Sequence, residues 1–356
     1  MQLNKIKLHS CTTFASAQSQ ITLDDDYNVP DYRPDIVKVL KEKGELQFDE
    51  VKAAAGAAWL KGRLVFKVLY RSDQDNAKIS CLKGEIPFQE KLNMDGVQEY
   101  DVIQASGEIE DLTIGVIHSR KISVRAVILL KTEEPREKED ELCVGIEADD
   151  GCEKRYRNTN ILQLLCMKRD QCRQKSEITL PSSKPNVQEI LWKSLEIRNL
   201  DTKMGQDGVK LSGEVLISVL YQEEEETDRV QWYETVIPLD CGVECDAGTE
   251  ADIIYKVKAR PASMELEVKP DYDGEERVLV LELVMNLDIR VWKEQEISML
   301  EDVYSLKQEI IPVCTGVTLH HISVKNDSQC RLTEQMELAE SQEKILQICS
   351  CEAGAP

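Results

Sequence analysis

The stretch of sequence that decides the fold is GRLVFKVLY, residues 62–70, which recurs as GEVLISVLY at residues 213–221. Counting back from the tyrosine, every second residue of both copies is apolar. Alternation with a period of two residues is typical of a β-strand that buries one face. The stretch therefore predicts a strand, and its recurrence predicts an internal duplication.

Two further motifs keep the same separation of 151 residues (221 − 70, 185 − 34 and 238 − 87). RPDIVKVL at 33–40 recurs as KPNVQEIL at 184–191, and IPF at 86–88 recurs as IPL at 237–239. Three blocks in one register indicate a tandem repeat. The repeat signature, for which we expect a structural role, consists of Pro34, Asp35, Gly62, Tyr70 and Pro87 in the first copy and Pro185, Asn186, Gly213, Tyr221 and Pro238 in the second.

A third copy begins near the end of the sequence. The motif QCR at 171–173 returns at 329–331, and the sequence ends at Pro356 before a third Gly-to-Tyr strand. Either the chain is truncated or a terminal fragment of the repeat packs as a cap. We divide the chain into a first repeat (1–133), a charged linker with loop (134–158), a second repeat (159–305) and the start of an incomplete third repeat (306–356).

Two long segments repeat the alternating pattern. Apolar residues occupy every second position of 279–291 and of 122–130, with polar residues such as Glu282 and Asp288 between them. One face of each strand should therefore pack against the core, and the other face should be exposed to solvent. The expected fold is all-β, built of tandem antiparallel β-sandwich-like domains. Short helical turns are expected as well, with Pro34 and Pro185 at the first helical position and Gly44 ending the first helix.

Composition excludes several classes of function. A net charge of −22 argues against a nucleic-acid binder and against attraction to an anionic membrane surface. No stretch reaches the ~18 apolar residues of a membrane span, and no secretory signal is visible, so we expect the protein to start in the cytoplasm. The twelve cysteines are mostly scattered singly, which suits reduced, buried thiols in such a compartment.

No motif of a catalytic, cofactor or metal site is present. A Gly-rich phosphate loop, a nucleophile elbow and an HExxH motif are all missing. The adjacent His320 and His321 should point to opposite faces of a strand. The close cysteines at 241 and 245, and at 349 and 351, lack the second pair that zinc needs, so inert thiols are favoured over cross-linking thiols. The acidic run 223–226 reads as a solvated loop tip. We expect no enzyme activity and no cofactor.

The residues above carry a family resemblance. DDDYNVPDYRPDI at 24–36 resembles the opening signature of the SPOCS domain, 62–70 its central strand, and HSRKI at 118–122 the turn before its last long strand. Asn186 departs from the pattern where the first copy has Asp35. The resemblance implies a clostridial-type sporulation protein, similar to spore coat proteins of the SipL type, made in the mother cell and assembled at the forespore surface. The LysM module that such relatives carry is not visible.

Two functions follow as hypotheses. The first is a non-enzymatic scaffold of the endospore coat or envelope, which contacts other coat or coat-base proteins or copies of itself. Its expected contact regions are the strand at 278–291 and the incomplete third repeat. The second is a ligand- or glycan-binding β-sandwich module at the spore surface. Neither involves nucleic acid or direct membrane insertion.

Overall fold

The computed structural model describes residues 2–72, 78–147, 152–205, 207–224, 229–245, 253–307, 309–324, 326, 330–331 and 333–335. Within these ranges the regular structure consists of twelve strands and no helix. The strands are β1 (Gln2–Asn28), β2 (Ile36–Ala54), β3 (Ala57–Ser72), β4 (Ile79–Asn93), β5 (Gln104–His118), β6 (Lys121–Glu147), β7 (Cys152–Thr179), β8 (Val187–Gly205), β9 (Gly208–Glu223), β10 (Val230–Glu244), β11 (Ile253–Pro270) and β12 (Glu276–Ser305).

Each repeat is a sandwich of two three-stranded antiparallel sheets. In the first repeat the sheets have the strand orders β1-β6-β5 and β2-β3-β4, and in the second β7-β12-β11 and β8-β9-β10. Side chains of both sheets share one core, as Phe66 and Tyr70 of β3 do with Ile122 and Val124 of β6. The predicted all-β fold of tandem sandwiches is confirmed, and the duplication extends to the order of the strands.

The central strands β6 and β12 carry the core, as their alternation predicts. On β6 the side chains of Ile122, Val124, Ala126, Ile128 and Leu130 are fully buried, and the apolar side chains at alternate positions of 279–291 are buried on β12. Full burial of one large aliphatic side chain contributes about 1.5–3 kcal/mol. Each central strand is therefore a main source of stability for its sandwich.

The predicted helical turns at the signature prolines are wrong. Residues 31–33 form a turn closed by the Arg33 amide donating to the Pro30 carbonyl at 2.9 Å, and strand β2 begins directly after it at Ile36. Gly44 lies inside β2 and ends no helix. A Cβ atom at Gly44 would lie 2.9 Å from Ile109 Cδ1 and 3.1 Å from Leu64 Cδ1, so this glycine serves the packing of the two sheets.

The predicted linker and loop at 134–158 is also wrong in its local structure. Residues 134–147 continue β6 and pair with the first half of β1, and 152–158 open β7 and pair with the end of β12. Most charged side chains lie outward, although Glu134 is buried, and several form ion pairs across the strands, as Lys5 does with Glu141 at 2.7 Å. The strand pairs β1–β6 and β7–β12 form two ribbons here. Leu142 turns inward and forms a small core between the ribbons with Leu8, Ile161 and Ile297.

The predicted third repeat is described only in part. Residues 309–324 contain no strand. Of the motif at 329–331, Gln329 lies outside the described residues, as does the rest of the chain from residue 336, including the cysteines at 349 and 351. The acidic run is partly described. Glu223 is buried at the end of β9 and not in a solvated tip, while residues 225 and 226 lie outside the described residues.

Candidate functional site

The tyrosine and the first proline of each signature meet at one end of each sandwich, whereas the glycines and the second prolines lie elsewhere. The buried Tyr70 hydroxyl donates to the Pro34 carbonyl at 3.0 Å, and the buried Tyr221 hydroxyl donates to the Pro185 carbonyl at 3.2 Å. Burial raises the pKa of Tyr70 to about 12 and also raises the pKa of Tyr221. Both phenols therefore stay protonated at neutral pH and remain hydrogen-bond donors.

An arginine completes this end of the first sandwich. The Arg120 guanidinium donates to the carbonyls of Arg33 (2.6 Å), Val29 (3.1 Å) and Pro30 (2.9 Å) and to the Asp35 carboxylate (3.1 Å). A hydrogen bond from Ser119, followed by that from Arg120, lowers the pKa of Asp35. The planar guanidinium has five donors, so one side chain can hold the whole signature turn.

Arg277 does the same in the second sandwich. It donates to the carbonyls of Pro181 (2.9 Å) and Lys184 (3.1 Å) and to the side-chain oxygen of Asn186 (3.3 Å). An amide oxygen and a carboxylate oxygen are both acceptors, which explains why the Asp35 position tolerates asparagine.

Sequence reasoning missed Arg277. Its separation from Arg120 is 157 residues (277 − 120), six more than the separation that relates the other motifs. The available signal was local, because each arginine lies two residues before the alternating apolar run of the long central strand. A search that allowed an insertion before β12 would have found it.

The signature glycines lie where the backbone of the neighbouring strand comes too close for a side chain. Gly62 of β3 pairs next to a bulge after Phe48 of β2, and Gly213 of β9 faces the bulge that follows Arg198 of β8. A Cβ at Gly62 would clash with the Gln47 carbonyl oxygen, and one at Gly213 would lie 3.0 Å from the Arg198 carbonyl oxygen. Both positions therefore favour glycine for steric reasons.

The signature prolines of the third block lie on edge strands. Pro87 is on β4 and pairs with Arg63, and Pro238 is on β10 and pairs with Glu214. Each of these strands has a hydrogen-bonded neighbour on one side only. A proline that cannot donate to a ladder is tolerated there. Eight of the ten signature positions thus lie in turns, at close approaches of strands or on edges, and the two tyrosines are buried on the central strands β3 and β9.

A family model described as SipL, SPOCS domain, matches residues 35–117 and 186–269. The chain is a SPOCS-domain protein. Each matched segment begins just after a signature proline and runs to the last strand before the long central strand, which is β5 in the first repeat and β11 in the second. Membership of this family suggests a role in sporulation. No curated protein matches the chain, and no solved structure matches it.

The two SPOCS repeats contact each other through an ion pair and an apolar cluster. The Arg33 guanidinium, in the first signature turn, binds both carboxylate oxygens of Glu189 on β8 at 2.6 and 3.1 Å. Beside it, Leu69 and Cys81 of the first repeat pack against Leu191 and Trp192 of the second. The Arg33–Glu189 pair and the apolar cluster together join the repeats. Because the pair is bidentate, it also restricts the geometry of the contact.

A cleft of about 1390 Å³ lies between the SPOCS repeats. Lys67 of β3 is directly opposite Lys43 on one side and Lys83 on the other, and Lys193 of β8 reaches the same cleft. Burial, with the charges of Lys67 and Lys83, lowers the pKa of Lys193 to about 8. Like charges placed opposite one another destabilise a sheet. The carboxylates of Glu45 and Glu265 line the same cleft and offset part of this repulsion, and an anion bound beside the lysines would offset more of it.

No group of histidine, cysteine and acidic residues in the described ranges has the arrangement of a metal site. His320 and His321 are both exposed. Nor does the described part contain a helix with the length and apolar character to cross a membrane.

The expectation of scattered, reduced thiols is wrong for one pair. Cys172 of β7 and Cys241 of β10 form a disulfide, with their Cα atoms 6.1 Å apart. The sequence had favoured inert thiols at both Cys241 and Cys245. The pairing could not be read from the sequence, because Cys241 is on β10 and Cys172 is on β7, which belong to the two facing sheets of the sandwich.

The expected contact strand at 278–291 is not available for pairing. It lies in β12, which has β11 on one side and β7 on the other, and its apolar face is buried in the sandwich. Large exposed apolar side chains occur after β12, in the other expected contact region, within residues 306–307 and 309–324, which we call the exposed apolar segment. Its large exposed side chains are Leu306, Ile311, Val313 and Val324.

Proposed function

We propose that the chain is a non-enzymatic structural protein of endospore coat or envelope assembly that acts through protein–protein contacts. In this proposal it is made in the cytoplasm of the mother cell and assembles at the forespore surface. Its partners are other coat or coat-base proteins or further copies of itself. Membership of the SPOCS family supports the link to sporulation. The observation that carries the proposal of a binding role is the exposed apolar segment.

The side chains of this segment have much apolar area left to bury. Ile311 is 79% exposed and Val313 is 96% exposed. Burying one such side chain contributes about 1.5–3 kcal/mol, so these two together would stabilise a contact by roughly 3–6 kcal/mol before the costs of association. Ile311 and Val313 are only two residues apart, and exposed apolar side chains that cluster typically mark a site of protein interaction.

The backbone of the segment supports the same proposal. Val317 and Leu319 pack against the small core between the ribbons, and the Leu162 amide of β7 donates to the His320 carbonyl at 2.8 Å. Strand β7 is an edge of its sheet, and the segment meets it at Leu162 without regular strand pairing in the described residues. Backbone groups in such a position can pair with an added strand.

The test is a pair of matched variants of the full chain. The double variant Ile311→Asp/Val313→Asp places two charges in the segment, and Val102→Asp places one at an exposed position in the first repeat, where the valine is 62% exposed. Self-association is measured by light scattering, and capture of coat proteins from sporulating cells by pull-down with mass spectrometry. We expect the double variant alone to lose these contacts. Equal association by all three proteins would reject the segment as the contact site.

The lysines of the cleft favour a second candidate function, the binding of a ligand or glycan that carries negative charge. Lys67 and Lys193 are partly buried around the cleft, while Lys61 of the same strand β3 is exposed. Titration calorimetry with a carboxylated oligosaccharide, and with a neutral one of equal length, tests this candidate. Binding of the acidic sugar that is lost in Lys67→Met and kept in Lys61→Met would support it. No heat from either sugar would reject it.

A further inference from the structure

One side of the second sandwich is closed by side chains that link its two sheets. Strand β7 is an edge of one sheet and β10 an edge of the other. The Gln174 side chain joins them by donating to the Pro238 carbonyl at 2.8 Å and accepting from the Asp240 amide at 3.0 Å. Next to it, the disulfide Cys172–Cys241 joins them covalently. We call this row of contacts the β7–β10 seam.

The seam continues beyond the disulfide. The Lys168 ammonium donates to the Glu244 carbonyl at 2.7 Å. One step further, the sulfur atoms of Cys166 and Cys245 lie 3.4 Å apart. As the position on β7 moves towards the N-terminus, its partner on β10 moves towards the C-terminus, so all these contacts belong to one antiparallel alignment. The second pair of thiols is therefore held in the same register as the disulfide.

The thiols of Cys166 and Cys245 are close enough to bond after a small movement. A disulfide needs sulfur atoms about 2.05 Å apart, so they must approach by roughly 1.4 Å. Cys245 is buried, with 5% of its surface exposed, while Cys166 is half-buried. A small oxidant therefore reaches Cys166 more easily than Cys245.

The four cysteines of the seam are specific to the second repeat. At a separation of 151 residues the first repeat has Ala15, Ile21, Glu90 and Met94 in their places. The common SPOCS fold therefore does not need these thiols. Their joint presence on two facing strands of one repeat points to a covalent role that the first repeat lacks.

We propose that Cys166 and Cys245 are a second disulfide site, which closes the β7–β10 seam at a second point when the protein meets a low-molecular-weight disulfide. The Cys166 thiolate attacks one sulfur of the oxidant, whose other half leaves as a thiolate and takes up a proton. The Cys245 thiolate then attacks Cys166 Sγ in the mixed disulfide and releases the second half, which also becomes a thiol. Overall, two protein thiols are oxidised and one small disulfide is reduced to two thiols.

A disulfide between Cys166 and Cys245 would restrain the part of the seam that lies beyond the Cys172–Cys241 disulfide. With Cys172–Cys241 closed, the added loop is short, consisting of the residues between the two links on each strand. A loop of about 10–15 residues in a repeat of this size is expected to raise the melting temperature of the second repeat by roughly 5–10 °C.

The experiment uses the full chain, incubated with oxidised or with reduced glutathione. Peptide mapping without reduction should find the peptides of Cys166 and Cys245 joined after oxidation, in addition to the Cys172–Cys241 pair. The melting temperature should rise in the wild type, and also in Cys81→Ser, whose cysteine is buried in the contact between repeats. It should not rise in Cys166→Ser or in Cys245→Ala.

Two results would overturn the proposal. One is that Cys166 and Cys245 remain open to alkylation, or carry glutathione, under conditions that keep Cys172–Cys241 closed. The other is that either cysteine pairs with a different partner in the folded protein. Mapping of the wild type decides between these results and the expected one, even if a variant does not fold.

Discussion

Replacing Tyr70 by phenylalanine tests how the signature turn is held. The variant keeps the buried ring and removes only the hydroxyl that donates to the Pro34 carbonyl at 3.0 Å. A typical hydrogen bond contributes ~1 kcal/mol, and a buried acceptor left without its donor costs ~1–3 kcal/mol. We therefore expect a loss of about 1–2 kcal/mol in the free energy of unfolding. Tyr221→Phe, which removes the equivalent bond in the second repeat, should behave alike.

The assay is urea unfolding followed by tryptophan fluorescence. With a slope of about 2 kcal/mol per molar urea, the midpoint of the affected transition should fall by roughly 0.5–1 M. Tyr100→Phe is the matched control, because this tyrosine is 83% exposed. If the midpoint falls no further in Tyr70→Phe than in Tyr100→Phe, the bond to Pro34 contributes nothing and the reasoning is refuted.

The same variant carries a pH signature. The pKa of Tyr70 is raised from 10.0 to about 12, mainly by burial. Between these values the unfolded chain has lost the phenol proton and the folded chain still holds it, so unfolding releases a proton and stability falls as pH rises. The contribution is complete below pH 10 and is lost as pH rises towards 12. In Tyr70→Phe this part of the decline should disappear.

Three further predictions concern other positions. Arg120→Lys replaces the planar fork by a point charge and should lower the free energy of unfolding by about 1–3 kcal/mol, whereas the exposed Arg125→Lys should change it by less than about 0.5 kcal/mol in the same urea assay. Gly62→Ala should cost more than about 2 kcal/mol because its Cβ meets the backbone of β2, and wild-type stability would show that the strands can separate there. Lys193 has its pKa lowered to about 8, so its burial should destabilise the fold below pH 8, with stability recovering as pH rises towards 10.5. Lys193→Met should raise the melting temperature at pH 7 and flatten its dependence on pH. A wild-type melting temperature that does not change between pH 7 and pH 10.5 would contradict this prediction.

The two repeats share the contacts at the signature end and differ in the contacts between the edge strands of their two sheets. The tyrosine and arginine contacts at the signature end occur in both. The disulfide at the β7–β10 seam occurs in the second repeat alone among the described residues. The contacts at the signature end are thus common to both repeats, while the disulfide of the seam distinguishes the second repeat from the first.

Much of the fold was predictable from local sequence pattern. The alternation at 62–70, 122–130 and 279–291 was enough to identify core strands, because successive side chains of a strand point to opposite faces whatever the rest of the chain does. The duplication was predictable for a similar reason, since three motifs keep one separation. The local pattern failed at 134–158, where ion pairs across a ribbon replace the apolar side chains that normally reveal a strand.

Only the tertiary structure decided which residues that are distant in sequence lie close together. Arg120 reaches the turn around Pro34 across roughly ninety residues of sequence, Cys172 meets Cys241 at a separation of 69 residues, and Lys193 joins Lys67 from the other repeat. None of these contacts follows from the periodicity of a single strand. They depend on which sheets face each other and in what register, and that is determined by the packing of the cores that the strands share.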